Sequence, residues 1–151
     1  MAIKITSKNI FDSDKDVLVC PVNCYGVMGK GLALQFKRLY PEMFLRYKNI
    51  CQEGLLVPGK LWLWKGNGQS KDVLCFPTKL GWWKPSTEEY IEEGLKKFIA
   101  TYKSKNINSI AFPLLGAGCG QLDKDEVLEI METWLSKCGD CDIEICIPDN
   151  L

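Results

Sequence analysis

The sequence predicts an α/β fold, a three-layer α/β/α sandwich around a central mixed sheet that is mostly parallel inside. Three observations predict it. Continuous apolar runs such as "DVLVCPV", "VLCFPT" and "SIAFPLL" read as strands buried on both faces. Amphipathic helical stretches separate these runs at the spacing of α/β units. Two glycine-rich loops each follow a buried strand. With 151 residues, 46% of them hydrophobic, the chain suits one domain over 1–151 with a sizeable core.

The elements follow in order. "IKIT" alternates and opens as a strand, and "DVLVCPV" is the second. A glycine loop runs from Asn23 to Gly31. "LALQFKRLY" sets Leu32, Leu34, Phe36 and Leu39 among polar residues, as a helix would, and Pro41 interrupts it. "EMFLRYKNIC" continues helically to Gly54. "LWLWK" is a short strand, "GNGQSKD" a hairpin-like turn and "VLCFPT" the strand that returns. "STEEYIEEGLKKFIATYKS" is the clearest helix. Ser86 and Glu89 have capping-box spacing, and acidic residues come early and lysines late. Its apolar face is Tyr90, Ile91, Leu95, Phe98, Ile99 and Tyr102. "SIAFPLL" is a strand, "GAGCG" the second glycine loop, "DKDEVLEIMETWLSKC" a helix with an acidic start, and "DIEICIP" the last strand. Ligands of such sheets bind beyond the carboxyl ends of the strands, so both glycine loops are expected to open into one crevice.

Composition excludes several functions. Lysines and arginines equal acidic residues at 19 each, so any nucleic-acid contact is local rather than a bulk electrostatic coat. The chain has no histidine, which removes Ser-His-Asp and Cys-His catalysis and imidazole metal sites. Catalysis must rest on Lys, Asp, Glu, Tyr, Cys or backbone groups. Several of the eight cysteines sit inside apolar strands, where a free thiol behaves as a small hydrophobe. "CGDC", Cys138 to Cys141, lacks a second ligand pair for zinc and reads as a turn after a helix. No apolar run reaches membrane-spanning or signal-peptide length, and a cytoplasmic protein that does not enter membranes is expected.

Three segments carry candidate chemistry. In the first loop, glycines let a ligand approach the main chain, and the helix start beyond offers free N–H groups. Asn23 can both donate and accept, which suits a sugar hydroxyl. The loop is either a tight turn or a cradle for a phosphate-bearing ligand. The second loop, "PLLGAGCGQL", is neither a P-loop nor a dinucleotide fingerprint, but its small residues leave backbone N–H groups free for an anion. Two such loops in one short domain point to a diphosphate. The third is "FPTKLGWWKPS", where Lys79 follows a buried strand and Trp82, Trp83 and Lys84 lie beyond it. Such a group can stack on a base and touch a phosphate, or it can cover the core with solvated lysines.

Together, "VNCYGVMGKGLALQFKRLYP", "FPTK" followed by "GWWKPS", and "FPLLGAGCGQLD" resemble a macrodomain, in family order and over essentially the whole sequence. The resemblance is to the branch that holds the DarG DNA ADP-ribosyl glycohydrolases and the human terminal ADP-ribose protein glycohydrolase. It implies ADP-ribose as ligand and no separate cofactor or metal. Asn9 and Ile10, in "KNIF", look like the adenine end. Asn23 and Gly29, Lys30 and Gly31 look like the surroundings of the distal ribose and its phosphate. Leu115, Gly116, Ala117, Gly118, Cys119 and Gly120 look like the diphosphate loop. Lys79 matches the catalytic lysine of this branch, as a nucleophile or as a group that protonates or stabilises the leaving group. Trp82, Trp83 and Lys84 are candidates for contact with the acceptor or with DNA. The human enzyme carries an aspartate where Gly120 stands here, which favours a DarG-like activity on single-stranded DNA. The resemblance also raises a cognate ADP-ribosyltransferase toxin as partner. Hydrolysis of a protein-glutamate ADP-ribose, of O-acetyl-ADP-ribose or of ADP-ribose 1″-phosphate is the enzymatic alternative. A non-catalytic ADP-ribose reader is the other.

Overall fold

The computed structural model describes residues 3–68 and 70–149; Gln69, within the expected hairpin turn, lies outside them. The elements are β1 (Ile3–Thr6), a 3₁₀ turn (Ile10–Asp12), β2 (Val17–Val22), α1 (Gly31–Leu39), α2 (Pro41–Gln52), β3 (Trp62–Trp64), β4 (Asp72–Pro77), α3 (Glu88–Thr101), β5 (Ser109–Pro113), α4 (Lys124–Leu135) and β6 (Asp142–Cys146). The sheet order is β1-β6-β5-β2-β4-β3. β3 pairs antiparallel with β4, and the other neighbours are parallel. The predicted mixed sheet is therefore present, with its antiparallel strand at one edge.

The period-two alternation of strand side chains assigns the two faces. Val17, Val19, Leu74 and Phe76 point to one side, where they meet Ile91, Leu95 and Phe98 of α3 and Val127, Met131 and Leu135 of α4. Leu18, Cys20, Val22, Val73 and Cys75 point to the other, beneath Phe36 of α1 and Met43, Tyr47 and Cys51 of α2. Both faces of the inner strands are dry, which is why those strands read as unbroken apolar runs. Gly94 lets α3 lie close on β4, because a Cβ there would overlap the Phe76 ring. Among the described residues no helix is long and apolar enough to cross a membrane.

The start of α3 differs from its prediction. Thr87, not Ser86, caps the helix, and its Oγ1 accepts from the Tyr90 N–H at 3.2 Å. Ser86 is drawn instead under the second glycine loop, where its N–H donates to the Gly120 carbonyl at 3.0 Å. A residue committed to a neighbouring loop cannot also turn its side chain onto the first helical turn.

The strand order creates the crevice. β2 stays in register with β4 through Val22↔Pro77 but is laddered to β5 only at Val17 and Leu18. Beyond that point the carboxyl-terminal halves of β2 and β5 are not paired with each other. This is the switch point at which a doubly wound sheet leaves room for a ligand.

Candidate active site

A cleft of about 710 Å³ lies over the ends of β2, β4, β5 and β6. It runs from Asn9 and Ile10 on the β6 side to Lys79 and Trp82 on the β4 side. Both glycine loops line it, as the sheet topology requires.

The first loop hangs on one buried amide. Asn23 is 5% exposed, and its Nδ2 donates to the Val27 carbonyl at 2.8 Å. Its Oδ1 accepts from the N–H groups of Tyr25 at 2.9 Å and Val27 at 3.4 Å. The Tyr47 hydroxyl, coming up from α2, stands 2.8 Å from the Asn23 carbonyl oxygen and 2.9 Å from its Oδ1. Burial pushes the Tyr47 phenol far above its ordinary range, so it remains a donor at any working pH. The amide read from the sequence as a ligand group is thus first the knot of its own loop, though it also borders the cleft. Tyr47 is invisible to motif reading, since nothing in "FLRYKNIC" sets it apart from a core tyrosine.

Gly29, Lys30 and Gly31 line the cleft where the loop enters α1. Lys30 occupies the cap position in extended conformation and makes no side-chain cap. The first-turn N–H groups of α1 therefore keep their capacity for an anion, and Leu32 and Ala33 of that turn border the cleft. Gly31 has φ of +62°, a left-handed value that L side chains rarely adopt.

The second loop supplies Gly116, Gly118, Cys119 and Gly120 to the lining. Of the two other residues named with them from the sequence, Leu115 puts its side chain into the α3–α4 core and half-buried Ala117 packs against it, so both can offer the cleft only their backbone. Gly116 has φ of +72°, and its carbonyl accepts from the Leu122 N–H at 2.9 Å. The two loops meet across the cleft: a Cβ on Gly31 would stand 3.0 Å from Cys119 Sγ.

Lys79 borders the cleft and is half-buried. The first loop holds its backbone, for the Cys24 N–H donates to the Leu80 carbonyl at 2.8 Å and Cys24 Sγ lies 3.7 Å from the Lys79 carbonyl. Burial pushes that thiol up to about 12, so it is a neutral packing group rather than a thiolate nucleophile at neutral pH. Thr78, beside Lys79, also lines the cleft and was not singled out in sequence. Trp82 is in the wall, whereas Trp83 and Lys84 lie outside the lining. At the far end Asn9 Oδ1 accepts from the Phe11 N–H at 3.0 Å, which turns the chain so that buried Ile10 becomes a floor residue. Cys138 and Cys141 are buried free thiols away from the cleft. Among the described residues no group of three or more His, Cys, Asp or Glu side chains is placed to hold a metal.

A three-layer sandwich with two glycine loops over its switch point, and with Lys30 and Lys79 at the cleft between them, defines a class, the macrodomains. The Macro domain model matches residues 19–131, and the chain belongs to that family. Among curated proteins it is 41% identical over 147 residues to the DNA ADP-ribosyl glycohydrolase of Mycobacterium tuberculosis, covering 95% of this chain and 42% of that protein. It is 31% identical to the DNA ADP-ribosyl transferase-DNA ADP-ribosyl glycohydrolase fusion protein of Thermosipho africanus, over 97% of this chain and 42% of that one. The chain thus spans about two fifths of the length of these relatives. Among solved structures, the macrodomain of Mycobacterium tuberculosis DarG matches with a TM-score of 0.93 and 40% identity, over 97% of this chain and 98% of that one. Thermosipho africanus DarTG in complex with ADP-ribose matches with a TM-score of 0.92 and 31% identity, over 99% of this chain and 42% of that one. The DarG-type branch inferred from the motifs is the one these relatives belong to.

Proposed function

We propose that this chain binds ADP-ribose in the cleft and hydrolyses the bond that joins it to a nucleobase of single-stranded DNA. The observation that carries the reading is Lys79, presented at the cleft wall beside the loop that ends in Gly29, Lys30 and Gly31. The relatives named as DNA ADP-ribosyl glycohydrolases, similar over nearly the whole chain, support it.

Asn9 and Ile10 receive the adenine end. The free N–H groups of the second loop, Leu115 to Gly120, and the uncapped start of α1 hold the diphosphate. Asn23 and Gly29 to Gly31 surround the distal ribose. With the ligand fixed along its length, binding energy serves to position the anomeric carbon against Lys79. The carbon–base bond breaks, the oxygen of water ends on the anomeric carbon, and the base leaves with a proton. Lys79 supplies that proton, stabilises the leaving charge, or attacks the carbon first and is displaced by water. Trp82 closes the acceptor side.

One packing detail favours a base over a protein carboxylate as acceptor. A Cβ at Gly120 would stand 2.5 Å from the Gly116 carbonyl oxygen and would overlap Ser86 Oγ. The loop therefore has no room for the aspartate that the protein-directed branch carries there. The fusion of transferase and glycohydrolase in a relative makes a DNA-modifying ADP-ribosyltransferase the natural supplier of substrate.

The test is release of ADP-ribose from an oligonucleotide that carries it on one base. Wild type is expected to release it. Lys79→Ala is expected to lose at least about a hundredfold in kcat, within the usual range for a proton-transfer group, while ADP-ribose affinity stays within a few fold. Full turnover in Lys79→Ala would remove the lysine from the mechanism. Tight ADP-ribose binding with no release by wild type would turn the assignment to a reader or to a hydrolase of small ADP-ribose esters.

A further inference from the structure

The cleft lining takes in only Trp82 of a group of three exposed aromatic rings. Tyr25, Trp82 and Trp83 are 60%, 53% and 51% exposed and lie together at the cleft rim. Tyr25 and Trp83 meet with ring centroids 4.7 Å apart at 79°, and Trp82 and Trp83 at 5.5 Å and 85°. Tyr25 comes from the first glycine loop and the tryptophans from the segment after β4. The Cys24–Leu80 backbone hydrogen bond brings the two segments together.

Trp83 is held, not loose. A Cβ on Gly81 would stand 2.8 Å from Cη2 and 2.9 Å from both Cζ2 and Cζ3 of its ring. Near-equal distances to three consecutive ring atoms put Gly81 against the ring face rather than its edge. One face of Trp83 is therefore packed on glycine, and Tyr25 meets the ring nearly at right angles. A core-covering role would bury these rings; instead each keeps about half its area in water. Their perpendicular arrangement forms a corner, the shape that receives a flat apolar ring on one wall and its edge on the other.

Charge selects the ring. The segments Asn23–Gly31 and Lys79–Thr87 hold Lys30, Lys79 and Lys84 and no carboxylate. In a chain of zero formal charge, this is a local attraction for phosphate beside exposed aromatic faces. The corner is continuous with the cleft, since Trp82 belongs to both.

We propose that Tyr25 and Trp83, with Trp82 at their edge, form a stacking subsite for the unpaired base next to the modified nucleotide. This rests on the DNA reading above and deepens it: the substrate is a modified base within a single strand, and a duplex, whose base faces are covered, is a poor one. Tyr25 is the new participant. It sets specificity and touches neither the ADP-ribose nor the reacting bond.

The experiment compares two substrates, a single-stranded oligonucleotide with one ADP-ribosylated base and the corresponding ADP-ribosylated nucleoside. Wild type is expected to show at least about tenfold higher kcat/KM on the oligonucleotide, the effect of one stacked base. Tyr25→Ala is expected to lose about tenfold on the oligonucleotide and nothing on the nucleoside. Gly81→Ala, which displaces Trp83, is expected to do the same. Equal kcat/KM for both substrates in wild type, or equal losses on both in Tyr25→Ala, would overturn the subsite and leave the glycohydrolase standing. If wild type releases ADP-ribose from neither substrate, the glycohydrolase fails by itself. Quenching of tryptophan fluorescence by an unmodified single-stranded oligonucleotide then decides the subsite. Binding weakened about tenfold in Tyr25→Ala sustains it, and no quenching overturns it.

Discussion

Two loops wall one cleft, and they are held by opposite means. The first is tied by a side chain: Asn23 gathers the Tyr25 and Val27 backbone and the Tyr47 hydroxyl around one buried amide. The second is tied by the lack of side chains. Gly116 takes a left-handed turn, and Gly120 lies against Gly116 and Ser86 with no space for a Cβ. The difference teaches where each loop is vulnerable. The first has one side chain whose deletion unties it, whereas the second has none to delete and is broken by addition. A substitution of the same size therefore has different consequences on the two sides of the same ligand.

The largest effect is expected from addition to the second loop. Gly120→Asp forces a Cβ to within 2.8 Å of Gly116 Cα and 2.5 Å of its carbonyl oxygen, both backbone atoms that cannot swing aside. The loop must open, and the N–H groups proposed to hold the diphosphate are turned away. ADP-ribose affinity, measured by titration calorimetry, is expected to fall at least about a hundredfold, since several charge-assisted hydrogen bonds are lost together. Affinity within threefold of wild type would show that the second loop is not closed by its glycines, and the contrast would collapse.

Deletion from the first loop comes next and is read as stability. Asn23→Ala leaves the Val27 carbonyl and the Tyr25 and Val27 N–H groups without their amide partner, while the Tyr47 hydroxyl keeps the Asn23 backbone carbonyl, and is expected to cost about 2–4 kcal/mol in urea unfolding. Tyr47→Phe removes one donor, leaves Asn23 its backbone partners, and is expected to cost about 1 kcal/mol. The two residues share a hydrogen bond, so the double variant is expected to be less destabilised than the sum. Strict additivity would mean that Asn23 holds the loop without Tyr47.

The same contrast explains what the sequence disclosed. The sheet and its layers were legible because burial on both faces writes an unbroken apolar run, as in "DVLVCPV", and this holds whatever the partner strands are. The glycine loops were legible because glycine marks backbone that must approach something. What was hidden depended on contacts between segments distant in the chain. Ser86 has the spacing of a helix cap, and only the position of Gly120 tells that it serves the loop. Leu115 and Ala117 share a motif with Gly116 and Gly118, but Leu115 is buried in the core and Ala117 packs against it while the glycines border the cleft. Tyr25 gave no signal, because its partner Trp83 is 58 positions away and meets it where the Cys24–Leu80 link joins the two segments. Lys79 was singled out by its neighbours and by family resemblance, not by any periodicity.

The smallest expected effect sharpens the contrast furthest. Ser86 is 4% exposed, and its Oγ has no hydrogen-bond partner, although it lies directly beneath the second loop. If that loop is shaped by space alone, this hydroxyl contributes nothing to it. Removing a buried polar group that has no partner recovers part of its desolvation cost, so Ser86→Ala is expected to leave stability unchanged or raise it by up to about 1 kcal/mol. The backbone bond from Ser86 to Gly120 survives the change, so ADP-ribose affinity is expected to hold. A loss above about 1 kcal/mol would show that the hydroxyl does bond to the loop in solution, and that the second loop is held by a side chain after all. Combining Ser86→Ala with Gly120→Ala separates the two obstacles. The serine oxygen is gone, but the Gly116 carbonyl still stands 2.5 Å from the new Cβ. Gly120→Ala alone meets both obstacles and is expected to weaken ADP-ribose binding; the double variant is expected to regain only part of that loss, and full recovery would place the whole constraint on Ser86 rather than on the loop's own backbone.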